Sequence, residues 1–323
     1  MTMANGERTY QFKALTDLWT GSVTLEEKNG QIKEKTGPDH LITTGLLGSI
    51  RWWFEVLVRG LNGNACDPTD TKCEDRNHCV VCELFGCTGW ARKFRFEVLD
   101  ENSGTKTDQI KQNQTFSLCF TPLRPILVEE WIILDATLRL IVEYGAIGGK
   151  TVFKPTDESS RASKLHHKDY GLVQMLTPQQ YDGTGRDDLG KYLSKWRKLN
   201  HGEFAWASLE HFWCVNGKYL RREDNNKSTF NQVLGRQEAK NQGQQLATRN
   251  DGIAGWLAGS QQESKKVFSF KDPARTFGFV KPGLIDFNTM KGRLTNAWGQ
   301  NGWDFRAGDK IIDQLFAGKG DRS

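Results

Sequence analysis

The feature that most constrains this sequence is the placement of its cysteines. Five of the seven, Cys66, Cys73, Cys79, Cys82 and Cys87, crowd into one short window, and only Cys119 and Cys214 lie elsewhere. The first residues, MTMANGERTYQ, show no apolar core behind a basic start, so no secretory leader is expected. The expected compartment is the cytoplasm, where thiols stay reduced, and the cluster therefore reads as metal ligands rather than a disulfide framework. Cys79 and Cys82, two residues apart in a knuckle, can reach one ion, and Cys66 and Cys73 from the preceding loop complete a tetrahedron. Four thiolates leave no open position for water. The expected occupant is a structural zinc that pins an insert at about residues 62–90, too polar to fold alone. His78 or Cys87 could replace one of the four ligands. Cys119 and Cys214, set among apolar neighbours, read as small core residues.

The pattern around this insert alternates between two periods. Thr9–Trp19 is short and alternating, with Tyr10, Phe12 and Ala14 on one face, and Gly30–Asp39 reads as a charged loop. From Thr44, a candidate N-cap, the period becomes helical: Leu46, Leu47, Ile50, Trp53, Phe54, Leu57 and Val58 share a face, and Gly60 is a stop signal. Ala91–Leu99 and the run through Phe116, Leu118 and Phe120 alternate as strands. Ile126–Tyr144 is helical, a glycine-rich turn and a polar stretch follow, and Tyr170–Leu176 suits one more strand. Strand, helix, two strands, helix, strand is the split βαββαβ order of a ferredoxin-like (RRM-like) sheet.

A chain of 323 residues is long enough for two domains. The expected fold class is α+β, with a first ferredoxin-like domain over 1–176 carrying the insert and a second α+β domain, ferredoxin-like as well, over 177–323. In that second half the periodicity suggests a hairpin from Phe204–Val215 through Asn216-Gly217 to Lys218–Arg222. Helices are suggested at 230–240 and 311–316, and extended segments at 267–270 and 276–280. No apolar run approaches the roughly 18 residues of a membrane span.

Charge supplies the remaining candidates. Lys and Arg outnumber Asp and Glu by 44 to 39, a mild surplus that leans towards polyanionic partners. The start of the first helix, Thr44-Gly45-Leu46-Leu47-Gly48-Ser49-Ile50-Arg51, could bare its amides to a phosphate beside Arg51; pairing of Arg51 with Glu55 on a solvated face is equally compatible with the spacing. In the glycine-rich turn, Gly148, Gly149 and Lys150 could bind phosphate through backbone N–H groups. Gly149-Lys150-Thr151 resembles the end of a P-loop, but the first glycine falls on Tyr144 and Pro155 soon follows, which argues against nucleotide hydrolysis. Arg92, Lys93, Lys154, Arg161 and Lys168 complete the RNA-binding candidates, since bases interleaved with aromatics suit single-stranded RNA. His166, His167 and Asp169 are the acid–base candidates, without a nucleophile motif to support them.

Three segments together resemble the RAMP superfamily of CRISPR effector proteins, in particular the first RAMP subunit of the type III-B (Cmr) complex. They are Leu15-Thr-Asp-Leu-Trp-Thr-Gly21, Thr44-Gly-Leu-Leu-Gly-Ser-Ile-Arg-Trp-Trp-Phe-Glu55 and Cys79-Val-Val-Cys-Glu-Leu-Phe-Gly-Cys-Thr-Gly-Trp90. The glycine-rich turn sits where that superfamily has its glycine loop, although it continues into Val152-Phe153-Lys154-Pro155 rather than into interleaved basic and aromatic residues. The resemblance implies two ferredoxin-like domains and a non-catalytic, RNA-binding role in antiviral defence near the 3′ end of the guide RNA. The implied partners are guide RNA, target RNA, a second head RAMP subunit and backbone RAMP subunits. Two other functions remain open: a stand-alone, metal-independent RNA endonuclease using His166 or His167, and a nucleotide-binding enzyme at Gly149-Lys150-Thr151.

Overall fold

Alternation of apolar and polar residues builds the first strand. In the computed structural model of the chain, β1 (Arg8–Ala14) buries Tyr10, Phe12 and Ala14 and turns Thr9 and Gln11 outward. The structure describes residues 6–21, 23–28, 31–36, 40–67, 73–149, 155–177, 186–199, 202–224, 227–235, 252–259 and 263–317. After β1 come the hairpin β2 (Val23–Lys28) and β3 (Gln31–Thr36), α1 (Thr43–Gly60), α2 (Val80–Phe85), β4 (Phe94–Leu99), β5 (Thr115–Pro122), α3 (Val128–Tyr144), the one-turn α4 (Ser159–Ala162) and β6 (Val173–Met175). There follow α5 (Arg186–Leu193), β7 (Phe212–Asn216), α6 (Thr229–Leu234), α7 (Gly252–Ala258), β8 (Val267–Phe270), β9 (Arg275–Phe279), α8 (Phe287–Trp298), β10 (Arg306–Ala307) and α9 (Gly308–Phe316). Among the described residues, no helix is long and apolar enough to cross a membrane.

The chain forms two compact units: Met1–Lys150 with Tyr170–Glu210 and Asp309–Ser323, and Thr151–Asp169 with His211–Gly308. Residues 177–210, assigned to the second domain on sequence, cluster with the first unit, and 151–169 cluster with the second.

In the first unit an antiparallel sheet runs β4-β5-β1-β6. Phe12 faces Phe116 and Tyr10 faces Leu118 across the β1–β5 ladder. The rings of Phe12 and Phe116 stack at 5.6 Å, and Phe94 meets Phe120 edge-on at 5.1 Å. Contacts of this kind add to the roughly 1.5–3 kcal/mol that burying each large apolar side chain contributes. Helices α1 and α3 pack together and bury Ile50, Trp53, Phe54, Trp131, Leu134 and Leu138. α1 begins one residue before Thr44, and its cap position is Ile42, which has no capping side chain. The Ile42 N–H donates to Thr20 Oγ1 at 2.7 Å, which ties the start of α1 to the loop after β1. Residues 31–36, read as a charged loop, form β3, in register with β2 from Val23↔Thr36 to Lys28↔Gln31.

The second unit repeats the order of elements. Its antiparallel sheet runs β10-β7-β9-β8, so in both sheets the first strand lies between the third and the fourth. Phe212, Phe277 and Phe279 cluster on one face, and Trp213 stacks on Phe305 at 5.7 Å on the other. The hairpin expected at Asn216-Gly217 does not form. β7 pairs with β9 and β10, the Gly217 N–H donates to Ala274 O, and Leu220 N–H donates to Ser269 Oγ. Four consecutive buried residues, Phe212 to Val215, need partners on both faces, and β9 and β10 supply the flanking strands. α6 is capped by Ser228 and stops at the left-handed Gly235 (φ 76°), so the helix expected over 230–240 starts one residue earlier and ends at Leu234.

Candidate metal centre and nucleic-acid interface

The cysteine loop folds back on α1. Cys66 leaves the loop after α1, Cys79 occupies the cap position of α2 and Cys82 lies in its first turn, which brings both knuckle sulfurs to the same end of a short helix. The sulfurs of Cys66, Cys73, Cys79 and Cys82 lie within 4.8 Å of one another, and all four residues are buried. A zinc ion at about 2.3 Å from each sulfur would require separations of about 3.8 Å, so the cluster matches a tetrahedral four-thiolate site to within an ångström. The closest pair, Cys66 and Cys82, stands at 3.4 Å. Backbone amides already point at the sulfurs: Cys66 N–H at Cys79 Sγ (3.4 Å) and Cys79 N–H at Cys73 Sγ (3.3 Å). Hydrogen bonds from the Cys66, Cys73 and Cys82 thiols hold Cys79 far below the usual thiol range, while the same bonds push Cys66 and Cys73 up. A divalent cation is the group that would let all four buried sulfurs ionise. These four residues could hold a metal ion, with zinc the best chemical fit.

The two alternative ligands are accounted for. His78 is engaged through both ring nitrogens, with Asp75 O and with Glu83 Oε2 at 2.7 Å, and its ring lies 4.6 Å from that of Trp90. Cys87 is half-buried and lies outside the cluster of four.

Arg51 sits against the sulfurs. Its Nη2 is 3.3 Å from Cys82 Sγ and 3.9 Å from Cys66 Sγ, Nη1 donates to Gly86 O at 2.8 Å, and Nε donates to Glu55 Oε1 at 3.0 Å. The expected Arg51–Glu55 pair exists, but Glu55 is buried, not on a solvated face. Burial pushes the Glu55 carboxyl up, opposed by Arg51 and Arg59. On the far side of the cluster, Arg197 Nη1 donates to Asn77 O at 3.1 Å and approaches Cys73 Sγ at 4.0 Å.

The remaining RNA-binding candidates fall into different surroundings. Lys93 is buried between Glu83 (2.6 Å) and Glu130 (2.8 Å), with Tyr192 donating to the same Glu130 oxygen at 3.1 Å. Arg92 is half-exposed and Lys168 exposed, and Arg161 pairs with Glu158 at 2.9 Å. The Gly148 N–H donates to Ser49 Oγ at 3.1 Å and the Gly149 N–H to Trp19 O at 2.8 Å, so the fold itself uses both amides. Gly148 has φ 122°, and a Cβ there would stand 2.7 Å from Trp19 O, which is why glycine occupies it. Lys150, Thr151 and Lys154 lie outside the described residues.

The acid–base candidates separate as well. Asp169 accepts from the backbone N–H groups of Lys271 (2.7 Å) and Asp272 (3.0 Å), and burial pushes its carboxyl up to about 6. His167 is half-buried, and the His166 side chain lies outside the described residues.

Sequence reasoning missed a cavity of about 290 Å³ in the first unit, lined by Trp52, Phe204 and the charged side chains of Arg51, Glu55, Arg59 and Asp67. The signal was the four-residue spacing of Arg51, Glu55 and Arg59 along one helix.

Residues 11–153 match the family model of the RAMP superfamily. Among solved structures, the fold is similar to the apo crystal structure of Cmr1 from Pyrococcus furiosus, at 10% identity and a TM-score of 0.37, covering 88% of this chain and 90% of that one. It is also similar to a chain of the Csm3-Csm4 subcomplex in the type III-A CRISPR-Cas interference complex. There the identity is 14% and the TM-score 0.28, covering 62% of this chain and 100% of that one. No curated protein matches the sequence.

Proposed function

We propose, from the match of residues 11–153 to the RAMP superfamily model, that the chain is a non-catalytic, RNA-binding subunit of a type III CRISPR effector ribonucleoprotein. The finer reading is a type III-B (Cmr) subunit near the 3′ end of the guide RNA, helping to capture target RNA in antiviral defence. Both four-stranded sheets then read as ferredoxin-like, and the four cysteines as a structural zinc site. The other head RAMP subunit and the backbone RAMP subunits are its protein partners, and the cytoplasm is its compartment.

One observation carries this reading. The family match covers the same stretch that brings the cysteine centre, the start of α1 and the glycine-rich turn into contact through Thr20, Ser49 and Arg51. Arg92 is half-exposed and Lys168 exposed, which leaves each able to neutralise a phosphate. The Asp169 carboxylate accepts from the backbone N–H groups of Lys271 and Asp272, which gives it a role in holding that turn.

Ultraviolet crosslinking of the chain in its native cells, followed by sequencing of the attached RNA, tests the proposal. Short RNAs sharing a repeat-derived 5′ tag are expected, and crosslinks no higher than those of an irrelevant protein would refute it. Replacing His166 and His167 together should leave any RNA cleavage in the preparation unchanged; its loss would move the assignment to the endonuclease.

A further inference from the structure

The cavity beside the cysteine cluster shares its charged lining with the cysteine loop. Arg51 spans from Glu55 to Cys82 Sγ, and Arg59 Nη2 approaches the carbonyl oxygens of Ala65 and Cys66, each at 3.4 Å. Asp67 directly follows Cys66 in the chain. Glu55 joins the two arginines, with Oε1 at 3.0 Å from Arg51 Nε and Oε2 at 3.8 Å from Arg59 Nη2. Arg59 Nε is buried without a hydrogen-bond partner among the described residues. Two aromatic residues line the same space. Phe204 is 39% exposed, an unusual position for a phenylalanine, and Trp52 is half-exposed although its neighbour Trp53 is buried.

We propose that this cavity takes an unstacked nucleobase of single-stranded RNA, and that metal in the four-cysteine centre sets its affinity by fixing the charged lining. The inference rests on the RNA-binding reading above and adds a named subsite and a regulator to it. A base is the ligand class that uses both kinds of wall, because its faces stack on indole and phenyl rings and its edge bonds to a carboxylate and a guanidinium. The cavity volume of about 290 Å³ suits one heterocycle rather than a larger ligand. Metal enters because both arginines also reach the cysteine segment, Arg51 at Cys82 Sγ and Arg59 at the Cys66 carbonyl oxygen. Releasing it frees Arg51 and Arg59 to reorient, and the cavity loses its shape. Linkage makes the coupling reciprocal, so the bound base must raise metal affinity by the same factor.

The test uses the full-length chain and an oligoadenylate carrying one 2-aminopurine. Wild type is expected to change the probe's fluorescence on binding, and Phe204→Ala to lose that change together with about 5- to 150-fold in affinity, at unchanged metal content and an unchanged salt slope. Chelation should reproduce the loss in wild type. Where chelation unfolds the chain, cobalt in place of zinc keeps the question answerable: the cobalt–thiolate absorption should shift on adding the oligonucleotide to wild type and stay still for Phe204→Ala. Equal affinity with and without metal, or a Phe204→Ala chain that binds like wild type, would overturn the inference while leaving salt-dependent RNA binding intact. Absence of any RNA binding would overturn both readings.

Discussion

The guanidinium of Arg51 lies 3.3 Å from the Cys82 sulfur while its Nε holds Glu55 at 3.0 Å. One side chain on α1 therefore joins the cysteine loop to a buried carboxylate, and its role differs from that of a cation paired with an RNA phosphate. Arg51→Ala is expected to cost about 2 kcal/mol in chemical denaturation, because it strands Glu55 and removes a donor from the sulfurs. Arg51→Lys should recover little, since a point charge cannot reach carboxylate, carbonyl and sulfur at once. The slope of log affinity for RNA against log salt should not change. A slope shallower by about one would mean that Arg51 contacts phosphate instead.

Loss of metal should be a local event with a global cost. Cys79→Ser with Cys82→Ser is expected to drop metal content from one ion per chain to none and to lower stability by several kcal/mol. In hydrogen exchange, amides of α2 and of residues 73–90 should lose protection first, while those of β1 and β5 keep theirs. Full protection of α2 without metal would count against a structural centre.

Lys93 offers a sharper stability test. It is the cation between two carboxylates, and Glu130 is fully buried, its carboxyl pushed up by burial and drawn back by Lys93. Lys93→Ala should cost about 3–5 kcal/mol, the range for breaking a buried ion pair. A loss below about 1 kcal/mol would show that water reaches the pair.

Asp169 gives a pH signature of defined sign. Its carboxyl is pushed from the ordinary 3.8 up to about 6, so between these values the folded chain binds more protons than the unfolded one. Stability contributed at this site is therefore full below about pH 4 and falls as pH rises to about 6. Asp169→Asn keeps an oxygen acceptor for the Lys271 and Asp272 amides and does not ionise. Relative to wild type it should gain about 1–2 kcal/mol between pH 4 and pH 8, measured by urea unfolding at both. A difference independent of pH would place Asp169 in water.

Much of this was legible in the sequence where one physical signal decided it. The alternation of Tyr10, Phe12 and Ala14 and the helical face of α1 were legible because each element buries one side only. Cysteine spacing found all four sulfurs of the cluster, since the knuckle fixes two of them locally. The hairpin of β2 and β3 escaped notice because charges interrupt its alternation, although the sequence Asn-Gly at positions 29 and 30 is a known turn signal. The same pair misled at Asn216-Gly217, where the partners of β7 lie some sixty residues onward in β9 and further still in β10, and sequence windows do not register pairings at that range. Lys93 and Arg51 were read as surface cations for a related reason. Their partners, Glu130, Gly86 and Cys82, come from distant segments, and only the fold brings them together.

The most direct test of the central claim is native mass spectrometry of the tagged chain purified from the cells that make it, with bound RNA sequenced and zinc quantified in the same sample. A ribonucleoprotein containing short RNAs with a common repeat-derived 5′ tag, several co-purifying RAMP subunits and one zinc per chain is the predicted result. A chain that emerges alone, without RNA, would contradict the assignment to a CRISPR effector complex.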